Sequence, residues 1–194
     1  MKAVSDIFQS RGINYGWVMV LVVFTLSGLA FGTMASISVF LKPVSLEFGW
    51  SRGQTSFAYT VASFSSAAFG VIWGYIADKY GTKWFGLAGA MSMGIILYLL
   101  SSLDSIYQFY LLYFLFGALG SALLFSPLYA NVGFWFRESP GLALGIAASG
   151  GAVGQAFIPH ISGILIEASG WQNAYVSLAP VSYTHLTLPT IAGV

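Results

Sequence analysis

The sequence predicts an all-α membrane protein, and three observations lead to this fold class. Of its 194 residues, 57% are hydrophobic and only 7% are charged, which leaves too few ionic groups to cover a soluble domain. The charged residues are confined to short gaps between five uncharged stretches of 20 to 32 residues. Each stretch holds about twenty mostly apolar residues, the length at which a helix crosses the roughly 30 Å hydrocarbon layer. The stretches begin at Gly12, Gly53, Trp84, Ser105 and Ser139.

Five complete spans and the opening of a sixth follow in order along the chain. Ser51 with Gln54, and Ser105 with Gln108, have the spacing of a capping box, which predicts the starts of the second and fourth spans. Gly170 is typical of a helix C-terminus and predicts the end of the fifth span. The expected spans are 17–41, 53–77, 84–102, 106–136 and 141–168, and the sixth opens at Trp171.

The basic residues predict which side of the membrane each loop occupies, because short loops rich in Lys and Arg stay in the cytoplasm. One side has Lys42 and Arg52, and the other has Lys2, Arg11, Lys79, Lys83 and Arg137. Residues 1–13 are therefore expected to be a cytoplasmic amino terminus. The net charge of +1 provides no attraction for nucleic acid, which is not an expected partner.

Small residues recur at four-residue spacing within the predicted spans. In lipid such rows let helix backbones approach closely, so we expect them to form packing surfaces between helices. Surfaces that slide or hinge during a functional cycle are the alternative interpretation. Ser66, Gly117 and Ser121 belong to such rows, and the glycines singled out for packing are Gly28, Gly32, Gly70, Gly145, Gly150 and Gly154.

The segment between the second and third spans carries the most specific motif. Gly74 permits close helix contact, Asp78 can face the amino end of a neighbouring helix, and Gly81 permits a tight turn. Lys79 and Lys83 would hold the loop in the cytoplasm. The order and spacing of these five residues resemble the loop motif of the major facilitator superfamily, in which it serves as a conformational motif.

Further segments resemble monocarboxylate transporters and the related bacterial oxalate:formate antiporters. They include residues 14–17, 39–43, 48–52 and 141–154, and the similarity extends over about 14–180. The resemblance implies the N-terminal six-helix half of a major facilitator fold, with five complete spans and a truncated sixth. It also implies a secondary carrier in a bacterial inner membrane that moves monocarboxylates or dicarboxylates by proton symport or exchange.

The sequence departs from the family pattern at positions that carry charge in many relatives. Ala35 stands where monocarboxylate transporters commonly have a lysine, and Phe116 stands where many superfamily members have an arginine. Ser139 and Pro140 replace a basic pair. The lysine-based mechanism of the monocarboxylate transporters is therefore not carried over to this chain.

No charged residue falls within a predicted span, so the candidates for a substrate cavity are uncharged polar residues. For each of them, helix packing or a hydrogen bond to a neighbouring helix is the alternative role. Lys42, Glu47 and Arg52 are expected in a solvated outer loop. No catalytic, metal-binding or cofactor motif is present in the sequence. The candidate cavity residues are Thr33, Ser36, Tyr59, Gln155 and His160.

The last residues are expected to be foreign to the natural protein. Residues 181–194 resemble the translation of an adapter used to prepare sequencing libraries, so native sequence is expected to end near Pro180. The expected partners are then the lipid bilayer, a small organic anion and the missing C-terminal half of the same transporter.

Three alternatives remain open at the level of sequence. Within the carrier class, the alternative substrate is a sugar or an exported drug. In a second alternative, the chain is a non-transporting membrane scaffold that binds partner helices through its small residues. An intramembrane enzyme is disfavoured because groups of the expected catalytic types are absent from the sequence.

Overall fold

The computed structural model describes residues 15–81, 84–136 and 140–184, which form helices and short turns without any strand. The predicted all-α class is confirmed. The elements are α1 (Tyr15–Ala35), α2 (Ile37–Phe48), α3 (Arg52–Tyr80), α4 (Phe85–Leu100), α5 (Ile106–Leu115), a π-helical segment (Phe116–Ser121), α6 (Ala122–Trp135) and α7 (Pro140–Thr184).

Among the described residues, four helical stretches are long and apolar enough to cross a membrane, and they are Gly16–Phe48, Arg52–Tyr80, Ile106–Ala130 and Pro140–Pro180. The apolar α4 is shorter, with 16 residues, or about 24 Å at 1.5 Å per residue. Gly170 interrupts α7 with non-helical φ and ψ of 83° and 163°, at the predicted end of the fifth span. Gly170 divides the last stretch in two, so the described residues form six successive helical passages, where five complete spans and the start of a sixth were predicted.

The first passage is longer than the predicted 17–41 and is divided into α1 and α2. At the division the Val39 N–H donates to the Ser36 carbonyl at 2.9 Å, which is a tighter turn than that of an α-helix. The helix then continues to Phe48, because water at the membrane surface can solvate the charged side chains of its last turns. Gly49, with a left-handed φ of 67°, ends it.

The predicted capping boxes differ in outcome. At the start of α3 the capping box is complete, since the Gln54 N–H donates to the Ser51 hydroxyl at 3.2 Å and the Ser51 N–H donates to the Gln54 side chain at 2.9 Å. At the start of α5 only the first of these bonds forms, at 3.2 Å to Ser105. The Gln108 side chain accepts instead from the Asp104 N–H at 2.8 Å, so the box is shifted by one residue.

The tightest helix contact lies between α1 and α7 and is formed by glycines from both helices, which we name the glycine interface: Gly28, Gly32, Gly150 and Gly154. A Cβ atom on Gly28 would lie 3.0 Å from the Gly150 carbonyl oxygen, and one on Gly154 would collide with the backbone of Gly28. Hydrogen bonds flank the contact, because Ser27 Oγ donates to the Ala147 carbonyl at 3.0 Å. Because these glycines have no side chains, the backbones of α1 and α7 can come into direct contact.

Two of the glycines singled out for packing make no close contact with another helix in the described part of the chain. A Cβ atom added to Gly70 or to Gly145 would meet no other atom within 4 Å. Gly70 faces a cavity, and Gly145 lies on an exposed part of α7. The sequence pattern is the same as in the glycine interface, but Gly70 is separated from α1 by the cavity, and no described helix contacts Gly145.

Candidate functional site

A cavity of about 510 Å³ lies between α1, α3 and the end of the π-helical segment. This volume falls in the range of about 300–1,000 Å³ that is usual for ligand pockets. The lining contains no charged side chain and is mostly apolar. It consists of Ala30, Phe31 and Met34 from α1, of Tyr59, Ser63, Ser66, Ala67, Gly70 and Val71 from α3, and of Ser121.

Helical periodicity brings the polar side chains of α3 to one wall of this cavity. Tyr59, Ser63, Ser66 and Gly70 follow one another at spacings of four, three and four residues, and such positions share one face of a helix. Tyr59 was a predicted cavity residue and is in the lining, whereas Ser66 belonged to a predicted packing row. The wall therefore presents hydroxyl groups between small side chains.

The π-helical segment Phe116–Ser121 reaches the cavity with its last residue, and contacts with α3 hold its irregular backbone. A π-helical turn shifts the backbone hydrogen bonds, so some carbonyls need other donors. Ser65 Oγ donates to the Phe114 carbonyl at 3.0 Å, and Trp73 Nε1 donates to the Ala118 carbonyl at 2.7 Å. Gly117 makes the approach possible, because a Cβ atom there would collide with the backbone of Ala62.

Ser121 ends the π-helical segment and is the most informative residue of the cavity. Its side chain is only 6% exposed, and its hydroxyl has no hydrogen-bond partner. Within the described ranges it is the one buried side-chain polar atom without a partner. Leaving such a group unsatisfied costs about 1–3 kcal/mol. A ligand in the cavity that accepts a hydrogen bond would remove this cost.

The other predicted cavity residues lie elsewhere. Ser36 is buried between α1 and α7, where its hydroxyl donates to the Gly32 carbonyl at 2.9 Å and accepts from Ser162 Oγ at 3.1 Å. Thr33 is also buried and is not in the cavity lining. Gln155 and His160 are exposed on α7. The structure therefore does not bring these four residues together with Tyr59.

The predicted conformational motif lies at the end of α3. Gly81 has a φ of 84° and its N–H donates to the Ala77 carbonyl at 2.8 Å, which ends the helix. Lys79 Nζ lies 5.4 Å from the centre of the Tyr80 ring. Asp78 is exposed and has no hydrogen bond within the described part of the chain, and Gly74 is half-buried. Lys83 lies outside the described residues.

The opposite end of the bundle holds a polar contact that sequence reasoning missed. The Glu47 carboxylate accepts hydrogen bonds from Trp171 Nε1 at 2.5 Å and from Gln172 Nε2 at 3.1 Å. Below it, the rings of Phe40 and Tyr175 are stacked with centroids 3.8 Å apart. Glu47 is thus not merely part of a solvated loop, because it ties the end of α2 to α7.

Comparisons with known proteins agree with this architecture. A family model described as Major Facilitator Superfamily matches residues 15–188. The chain is 32% identical over 152 residues to Riboflavin transporter RibJ of Trypanosoma brucei brucei, which covers 76% of this chain and 28% of that protein. It is 25% identical over 163 residues to Monocarboxylate transporter 3 of Mus musculus, and the match covers 84% of this chain and 33% of that protein. It is 26% identical over 165 residues to Monocarboxylate transporter 12 of Xenopus laevis, and the match covers 85% of this chain and 36% of that protein.

These coverages show that the chain spans about a third of the length of the curated relatives it matches. The family match begins at the first described residue and extends past Pro180 into residues 185–188, which lie outside the described part. The foreign origin of residues 181–194 stays a prediction. The three relatives named above are eukaryotic, so the bacterial membrane also stays a prediction.

Proposed function

The chain belongs to the major facilitator superfamily and is related to the monocarboxylate transporters, and on this premise we propose that it is the amino-terminal half of a secondary carrier for small organic anions. The proposed substrates are monocarboxylates or dicarboxylates, moved by proton symport or exchange. Such a carrier holds its substrate between two halves near the middle of the bilayer and exposes it alternately to each side. The chain is proposed to have no enzymatic activity.

The unsatisfied hydroxyl of Ser121 is the observation that carries this proposal. It lies in a cavity whose other polar groups are the hydroxyls of Tyr59, Ser63 and Ser66. Hydroxyl groups donate hydrogen bonds, and a carboxylate oxygen is a strong acceptor for them. We therefore assign Ser121 as a group that binds the carboxylate of the substrate.

The uncharged lining favours proton symport as the coupling mechanism. A carboxylate without a compensating charge is costly to bring into an apolar cavity. A carboxylate that enters together with a proton is neutral overall and avoids this cost. The other half of the carrier can contribute further groups, but the wall formed by this chain is suited to the protonated substrate.

The conformational motif is proposed to act at the contact with the other half. Asp78 is exposed, and no described residue forms a hydrogen bond or an ion pair with its carboxylate. Together with Gly74, Lys79, Gly81 and Lys83 it would stabilise one conformation of the carrier by binding the second half. The exposed Gly145 is proposed to permit close contact with a helix of that half.

A second candidate substrate is a larger aromatic molecule. The cavity lining includes Phe31, Met34 and Tyr59, which suit an aromatic ring better than a small anion. The relative named as a riboflavin transporter is 32% identical to this chain. The carbonyl groups of an isoalloxazine ring would also accept a hydrogen bond from the Ser121 hydroxyl.

Ligand binding to the purified 194-residue chain in detergent separates these two candidates. We expect lactate to bind, as measured by saturation-transfer NMR. The measurement uses about 0.5 M salt, because salt at this concentration screens surface charges. The Ser121→Ala variant should weaken binding up to about tenfold, since a hydrogen bond to a neutral group contributes about 0.5–1.5 kcal/mol. Ser149→Ala is the matched control, because Ser149 is exposed and bonded only to its own helix.

The outcomes are distinct. Equal lactate affinity of the parent chain and Ser121→Ala would remove Ser121 from the site. Quenching of riboflavin fluorescence by the chain, without any lactate signal, would favour the second candidate. Saturable lactate uptake into liposomes that contain only the 194-residue chain would contradict the proposal that a second half is required.

A further inference from the structure

We propose that Lys42 and Arg52 form a second site, which binds the carboxylate group of a soluble anion at the mouth of the groove that leads to the cavity. The groove is the space between the first passage (α1 and α2) and α3. The inference rests on the proposed function for the identity of the ligand, but the site itself is separate from the Ser121 cavity.

The mouth site is a pocket of about 320 Å³ between α2 and α3. Its polar lining comes from Ser38, Lys42 and Ser45 on α2 and from Arg52 and Ser56 on α3. Arg52 and Tyr80 are the first and last residues of α3, so this pocket and the conformational motif lie at opposite ends of the bundle.

The pocket and the cavity lie along the same groove. Ser56 precedes Tyr59 by three residues on α3, which is about 4.5 Å along a helix, and the two positions share a face. Across the groove, Ser38 follows Met34 by four residues, or about one helical turn. Neighbouring positions of α3 and of the first passage therefore line the two pockets, and passage of a small anion from the mouth to the cavity is part of the proposal.

The charge of this pocket is not neutralised by a neighbouring acid. Lys42 and Arg52 are both exposed, and neither has an ion pair within the described ranges. The acidic side chain closest in sequence, Glu47, is held by Trp171 and Gln172 of α7. Asp104 and Glu167 are not in the lining. The amino end of α3 at Arg52 adds further positive potential, because helix dipoles leave partial positive charge at that end.

The chemistry of the lining selects a small oxyanion. The guanidinium of Arg52 can bind both oxygens of a carboxylate, and Lys42 supplies a second charge. Ser56 has no other hydrogen bond within the described residues, so its hydroxyl is free to donate. Ser38 and Ser45 already donate to their own helix, at 2.8 Å and 3.0 Å, and are left to accept from a hydroxyl group of the ligand. A 2-hydroxy acid such as lactate matches this set.

The two sites then have complementary roles. Cations at the mouth attract an anion from water, where charge is tolerated, and the uncharged cavity receives the substrate with its proton. The arrangement raises the local concentration of the substrate without placing a charge inside the membrane. An anionic lipid headgroup presents a related oxyanion, and we assign the site to the soluble carboxylate because the pocket opens onto the groove.

The test is lactate binding to the purified 194-residue chain in a zwitterionic detergent at low ionic strength, followed by saturation-transfer NMR. We expect the Lys42→Gln/Arg52→Gln double variant to lower the affinity at least fivefold, and the charge-preserving Lys42→Arg/Arg52→Lys variant to retain it. Lys2→Gln/Arg11→Gln is the charge-matched control, because it also removes one lysine and one arginine, at positions that belong neither to the pocket nor to the conformational motif. Added salt should weaken binding by the parent chain and not by the double variant.

Three results would overturn the inference. One is equal lactate affinity of the double variant and the parent chain, as long as circular dichroism shows both to be folded. Another is failure of the charge-preserving variant to bind. The third is loss of lactate binding in nanodiscs that contain phosphatidylglycerol but not in those of phosphatidylcholine, which would assign the site to lipid headgroups. Failure of the proposed function appears differently, as a Ser121→Ala variant that binds like the parent chain at high salt.

Discussion

Between α1 and α7, glycines lie opposite glycines, whereas between α1 and α3 the small residues of α3 lie opposite Phe31 and Met34. The first region is closed, because the backbones meet at Gly28 and Gly154. The second leaves a cavity, because the row Ser63, Ser66 and Gly70 has no matching row across from it. A stripe of small residues therefore does not define a packing surface by itself, and the residues on the facing helix decide whether space remains.

The largest expected effect concerns the closed region. Gly154→Ala should lower the free energy of unfolding by about 3 kcal/mol, since the new Cβ atom collides with the backbone of Gly28 and the helices must separate. Gly145→Ala on the same helix is the matched control and should raise stability by up to about 1 kcal/mol through helix propensity. Unfolding in mixed micelles, followed by circular dichroism, measures both. Similar losses in the two variants would contradict the comparison.

A smaller effect is expected where α3 supports the π-helical segment. Ser65→Ala removes the donor to the Phe114 carbonyl and should lower the free energy of unfolding by about 1–1.5 kcal/mol. Ser63→Ala, two positions away on the cavity wall, should leave stability unchanged within about 0.5 kcal/mol. The same unfolding assay applies. If Ser63→Ala were the more harmful change, Ser63 rather than Ser65 would be the residue that holds the helices together.

The smallest expected effect has the opposite sign. Ser121→Ala removes a buried hydroxyl that has no partner, so it should raise the free energy of unfolding by about 0.5–1 kcal/mol. Ser162→Ala removes a hydroxyl that is bonded to Ser36 in the closed region, so it should lower that free energy by about 0.6 kcal/mol. Gain in one variant and loss in the other would support a stability cost at the cavity. Loss of stability in Ser121→Ala would indicate a partner for its hydroxyl.

The sequence predicted the helical fold well, because the physical cause is local. Charged residues cannot remain in the hydrocarbon layer, so their positions mark the ends of the spans, and Ser51 with Gln54 caps α3 through neighbouring backbone groups. The contact between Gly28 and Gly154 could be predicted by the same reasoning, since both belong to rows of small residues at four-residue spacing.

The cavity could not be predicted in the same way, because its causes are not local. The π-helical segment depends on donors from another helix, Ser65 and Trp73, which are about 50 residues away in the chain. Ser121 was predicted as a packing residue because its spacing from Gly117 is four, but it lines the cavity at the end of the π-helical segment. Tyr59 was predicted as a cavity residue, but the adjoining Ser63 has no distinguishing pattern.

The proposed function requires that substrate reaches the cavity from water and binds against its α3 wall, and cysteine accessibility tests both points most directly. The chain contains no cysteine, so single variants can be labelled without background. We expect Ser63→Cys in membranes to react with a water-soluble thiol reagent and lactate to slow the reaction. Ser27→Cys, in the closed region, should not react. Equal reaction of both variants, or a Ser63→Cys variant that lactate does not protect, would contradict the account.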